Sequence, residues 1–179
     1  MKPYKNERQP TRQSLVLIGG DGNGYDYSEK DWYRLAFEFK NINSTFINSK
    51  RTPKFAWQNL KENSGSEHKH LDTENTDLEL LTKNLDEHSH IFVTADSTTR
   101  ISEIISRGYF INVIEMRGPI QYELHHDLMQ SLQEKGLLKI MRLDELHLSE
   151  NKYHGNVKKF VVTESCLLYT SDAADDKQC

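Results

Sequence analysis

Three short polar stretches carry the residues that could do chemistry, and each follows an apolar run. Gly19, Gly20, Gly22 and Gly24 follow Leu15–Ile18; Ser49-Lys50-Arg51-Thr52-Pro53 follows 45–48; Thr94-Ala95-Asp96-Ser97-Thr98-Thr99 follows Ile91-Phe92-Val93. Glycines let backbone approach a ligand closely. This loop is neither G-x-G-x-x-G nor a P-loop, and a flexible turn is the competing reading. Thr52 is expected to cap a helix with Pro53 at its first position. Lys50 and Arg51 then sit beside a helix N-terminus, where a cation costs ~0.3–1 kcal/mol unless an anion is bound. That points to a phosphate or carboxylate ligand, against the alternative of surface cations snorkelling outward. Asp96 or Ser97 is placed to cap the next helix, whose exposed N–H groups favour an anion. Ser, Thr and Asp are also simply good caps. Glu103, about a turn and a half further on, is either a solvated helical carboxylate or an acceptor for ribose hydroxyls.

The elements that must position these residues alternate. Ile91–Val93 is β-branched and aromatic enough for a buried strand. Ile101, Ile104 and Ile105 recur at helical spacing, Gly108 stops that helix, and Phe110–Ile114 forms the next strand. Strand, short helix and strand make a βαβ unit with parallel strands. Earlier, Ser28 caps a helix with Trp32, Leu35, Ala36 and Phe39 as its core stripe. Leu78, Leu81 and Leu85 mark another helix; Leu124, Leu128 and Leu132 mark a third, on which one of the His125-His126 pair must face away from the core, toward the helix surface. A brief strand near His70-Leu71 and an edge strand over 137–141 complete the list, with weaker elements over 144–148 and 158–162. The fold class is α/β, a Rossmann-like parallel sheet with helices on both faces. All three polar loops should meet at its carboxyl edge, where such sheets bind ligands.

The run V-T-A-D-S-x-x-x-I-S-E, from Val93 to Glu103, together with the Leu15–Gly20 and Ser49–Pro53 segments in that order, resembles the Elm-type family named for a plant mitochondrial-fission protein. Its bacterial members are regarded as glycosyltransferases of the GT-B fold. The match spans about 13–146. Lys50 stands where that family usually has Arg, Arg100 where an apolar residue is usual, and Ile104 where Ala is usual. The resemblance implies the C-terminal, nucleotide-sugar-binding half of a GT-B enzyme. It places the donor's diphosphate and ribose on Gly19, Gly20, Lys50, Arg51, Ser97, Thr98 and Glu103, and Thr52 and Asp96 belong to the same loops. The donor is a substrate, and neither a cofactor nor a metal is expected. The acceptor-binding N-terminal domain is expected to be missing, so this half should bind rather than catalyse. A sugar-nucleotide epimerase and a non-enzymatic interaction module are the alternatives.

At 179 residues, 36% hydrophobic and a net charge of −4, the chain can bury one core and offers no basic field for nucleic acid. No apolar run is long enough to span a bilayer. A cytoplasmic protein is expected, with a peripheral membrane or envelope acceptor as its implied partner. His68/His70 and His88/His90 have ligand-like spacing but no carboxylate frame, so metal binding is not expected. The polar stretch 1–12 reads as a linker and 13–165 as the nucleotide-sugar-binding domain. Residues 166–176, CLLYTSDAADD, resemble a translated sequencing-library adapter, so 166–179 is expected to be a non-native tail. That tail holds both cysteines.

Overall fold

A computed structural model describes residues 14–116 and 123–146. The expected linker over 1–12, the tail over 166–179 and the weak element over 158–162 lie outside those residues. The described chain alternates strand and helix: β1 (Ser14–Leu17), α1 (Glu29–Phe39), β2 (Ser44–Ile47), α2 (Lys54–Asn63), β3 (Lys69–Leu71), α3 (Leu78–Glu87), β4 (His90–Thr94), α4 (Thr98–Ser106), β5 (Ile111–Glu115), α5 (Glu123–Glu134) and β6 (Leu138–Arg142). One six-stranded sheet runs β3-β2-β1-β4-β5-β6, and every pairing is parallel. Val16 pairs with both Phe46 and Phe92, which sets the central register.

Parallel strands need crossovers, and crossovers are right-handed. That rule puts α1 and α2 on one face and α3, α4 and α5 on the other. A 2.8 Å bond from Arg107, the residue that follows α4, to Thr82 of α3 fits this placement. With both faces covered, β1, β2 and β4 lose their solvent side and read as continuous buried runs. Phe39 of α1 packs edge-on against Phe46 of β2 and Phe92 of β4, at 5.8 and 5.1 Å between ring centres, and ties two strands to one helix. Gly108, at φ 83°, ends α4 with the paired Gly108–Ile105 and Tyr109–Ile104 bonds of a Schellman turn.

The expected stripe of α1 is core: Trp32, Leu35, Ala36 and Phe39 are all fully buried. Two apolar assignments fail. Leu78 is 61% exposed because it opens α3 before the helix meets the sheet, and Leu124 is 82% exposed. On α5 the inward positions are His125, Met129 and Leu132, so one histidine of the pair replaces Leu124 in the core. The spaced histidines are tied to local backbone and hydroxyl groups. His68 Nδ1 accepts from Ser44 N, and His88 bridges Thr45 Oγ1 and the Asn84 carbonyl. Among the described residues no three His, Cys, Asp or Glu side chains are grouped to hold a metal ion. No helix among them is long and apolar enough to cross a membrane.

Candidate functional site

The strand order reverses direction beside β1, whose neighbours β2 and β4 lead opposite ways. Ligand crevices form at such a switch point, outside the strands' carboxyl ends. A cavity of about 570 Å³ opens there. Its floor is Leu17, Ile18, Ile47 and Val93, at the carboxyl ends of three strands. Around the rim stand Gly19, Asn23, Asn48, Ser49, Lys50, Arg51 and Thr73 on one side, and Asp96, Ser97, Thr98, Thr99, Arg100 and Glu103 on the other. Of the nine residues singled out in the sequence, seven line this space. Gly20 and Thr52 sit behind it as supports.

Asp96 is the hub. Its side chain has no solvent exposure, and a buried carboxylate must be supplied with donors. Gly20 N–H donates to it at 2.9 Å, Arg51 Nη2 at 2.9 Å and the Tyr27 hydroxyl at 3.3 Å. Burial raises the Asp96 pKa, opposed by the Gly20 N–H, the Thr94 hydroxyl, Arg51 and Tyr27, in that order. Burial and the neighbouring Asp96 push the Tyr27 phenol up, so it stays protonated and donates. The backbone carbonyl of Asp96 accepts from Asn23 Nδ2 at 2.6 Å, and the same amide reaches Thr98 Oγ1 at 2.9 Å.

The glycine loop is built around these contacts. A Cβ on Gly19 would run into the Asp96 carboxylate, and one on Gly20 into the Arg51 carbonyl. Gly19 N–H donates to Thr94 Oγ1 at 2.7 Å. Thr52 Oγ1 donates to the Ile18 and Gly19 carbonyls and accepts from Ser49 N–H at 2.9 Å. Thr52 therefore binds the loops together and does not cap α2, whose N-cap is Pro53.

Neither expected cap closes α4. The Asp96 carboxylate points back to the glycine loop, and Ser97, at the N-cap position, makes no side-chain bond to the first turn. The first-turn N–H groups therefore open on the cavity without a carboxylate among them. Glu103 lies deeper and is clamped: Arg100 donates to one oxygen at 2.8 Å and Arg107 to the other at 3.1 Å. Each oxygen keeps a further lone pair for a ligand hydroxyl. Lys50 is exposed on the rim and forms no ion pair among the described residues.

The chain belongs to the Mitochondrial fission ELM1 family. That family's model matches residues 4–160, which contain all three resembling segments. No curated protein matches the chain. Among solved structures, MurG from Acinetobacter baumannii is similar, with 14% identity and a TM-score of 0.49 over 78% of this chain. The chain spans 41% of the length of that MurG structure.

Several contacts around the cavity escaped the sequence reading. Asn23 takes φ 51°, and Asn is one of few residues other than Gly that adopt a positive φ. Its place among four glycines was the available signal. His125 Nδ1 meets Thr98 Oγ1 at 3.0 Å, and burial holds its pKa below the usual imidazole range. Nothing local to α5 announced that contact, which spans 27 residues.

Proposed function

We propose that this chain is the donor-binding half of a GT-B glycosyltransferase that uses a nucleotide-activated sugar without a metal. The observation that carries the reading is the uncapped N-terminus of α4, opening on the cavity that Lys50, Arg51 and Arg100 also line. Helix N–H groups and cations together suit a diphosphate. They would stabilise it as a leaving group, since fixed donors act where charge develops. Glu103 would take the ribose hydroxyls on its remaining lone pairs. Residues 13–165 would form the binding domain, and catalysis would need the acceptor-binding domain as partner. The setting would be cytoplasmic, with peripheral contact to a membrane or envelope acceptor.

The first helix argues against a dinucleotide site, which the strand order alone would also suggest. Its first turn carries Glu29 and Asp31, and Ser28 N–H already donates to the Asp31 carboxylate at 2.7 Å. A pyrophosphate placed there would meet two negative charges.

An interaction module is the second reading, and one observation favours it. Tyr33 and Phe37, four residues apart on one side of α1, are 56% and 66% exposed. The sequence shows no obvious apolar surface, so these two are a finding of the structure. Calorimetric titration with nucleoside diphosphates separates the two readings. Saturable binding that Arg51→Ala weakens supports the first; no binding by the folded protein leaves the second ahead.

A further inference from the structure

We infer that Asp96 is a positioning residue: its buried carboxylate fixes the Arg51 guanidinium and the glycine loop in a ligand-ready arrangement and does not itself touch ligand. The inference rests on the anion reading of the cavity.

Three observations converge on it. Asp96 is fully buried, whereas the Arg51 side chain is 45% exposed, so the pair has one end in the fold and the other on the cavity. The guanidinium is held at more than one point: Nη2 donates to Asp96 Oδ2 at 2.9 Å, and Nη1 lies 3.4 Å from the Asp21 carbonyl. The glycine loop leaves that position open, because a Cβ on Gly22 would strike Nη1. Arg51 is thus threaded past Gly22 and anchored on a carboxylate whose Oδ2 also holds Gly20 N–H. A guanidinium presents its donors in a rigid fork, so fixing one edge aims the others. The side-chain entropy of a long Arg is then lost on folding, before a ligand arrives.

This arrangement has a consequence opposite to simple charge counting. Removing a negative charge beside an anion site should by Coulomb attraction tighten anion binding. If Asp96 acts by position, Asp96→Asn should weaken it instead, because an amide holds the guanidinium less firmly.

The experiment uses the 179-residue chain. Inorganic pyrophosphate and UDP are titrated calorimetrically into wild type, Asp96→Asn and Arg51→Lys, and ligand-free samples of each are followed by amide hydrogen exchange at Gly20. Losing one charge-assisted contact predicts about tenfold weaker pyrophosphate binding in both variants, with faster Gly20 exchange in Asp96→Asn. Equal or tighter binding by Asp96→Asn, or unchanged Gly20 exchange, overturns the inference. Should Asp96→Asn fail to fold, Arg51→Lys decides, since its site is half exposed: full affinity with the charge kept but the fork lost also overturns it. A wild type that binds neither probe overturns the anion reading and the inference with it, whereas pyrophosphate binding without UDP binding sinks only the donor-binding reading and leaves the positioning role standing.

Discussion

The four helix N-termini that follow β1, β2, β3 and β4 are treated in two ways. In α1 and α3 the first turn is acidic and closed. Asp31 takes the Ser28 N–H, and Asp77 accepts from Leu80 N–H at 2.8 Å. In α2 and α4 the first turn contains no acid and the N-cap makes no side-chain bond. The closed ends satisfy their own donors and complement their own dipoles. The open pair borders the residues that line the cavity. The difference teaches that α4 is not merely a helix lacking a good cap. Ser97 and Asp96 are both chemically able to cap it, and the fold uses neither.

Closing the open end is the strongest way to break this contrast. Ser97→Asp would give α4 an acidic start like that of α3. Two effects of opposite sign are expected: the helix gains ~0.3–1 kcal/mol from its dipole, while nucleoside diphosphate affinity falls about a hundredfold through like-charge repulsion and a lost site. Thermal unfolding and calorimetry read the two separately, and a parallel loss of both would mean general damage. Next in size is Arg51→Ala. Loss of a charge-assisted bond of ~1.5–3 kcal/mol should lower affinity by one to two decades. Lys50→Ala should cost less, and its cost should fade in high salt, because Lys50 is an exposed point charge.

Much of this was legible in the sequence, for identifiable reasons. The strands at Leu15, Thr45, Ile91 and Ile111 are short apolar runs bounded by turn residues, and helices between them force parallel pairing. The three polar loops converge because all follow parallel strands. What stayed hidden was direction within the loops. Asp96 could cap forward or reach back to Gly20, and only the 76-residue separation closed by the fold settles that. Glu103 was read as a solvated carboxylate or a ribose acceptor; the Arg100 and Arg107 clamp sits at helical spacing, but the Thr82 contact that holds Arg107 spans 25 residues. Leu124 was placed inward and His125 holds that place because neighbouring positions on α5 differ by only about 100° of rotation, which spacing alone leaves open.

Smaller effects sharpen the account. Glu103→Gln should weaken nucleoside diphosphate binding less than Glu103→Ala, since the amide keeps one acceptor; equal losses would mean that only the clamp on Arg100 matters. Asp77→Ala should cost ~0.5–2 kcal/mol of stability and leave binding unchanged, because it uncaps a helix whose first turn does not line the cavity. The pH dependence of stability has a definite sign. Burial lowers the pKa of His70, His88 and His125. The unfolded chain therefore binds more protons between their lowered values and about 6.5, so stability should rise with pH across that window and be lost as pH falls through it. His88→Gln, which can keep a contact to Thr45, should flatten the rise.

The most direct test compares the two kinds of helix start in one experiment. Isotope-labelled protein is titrated with inorganic pyrophosphate while its backbone amide resonances are followed. The N–H signals of Thr98, Thr99 and Arg100 at the start of α4, with those of Lys50 and Arg51, should move in a saturable way. Those of Glu29, Lys30 and Asp31 at the start of α1 should not. Shifts centred on α1, or none at α4 at any concentration, would contradict the claim that α4 is left open for an anion.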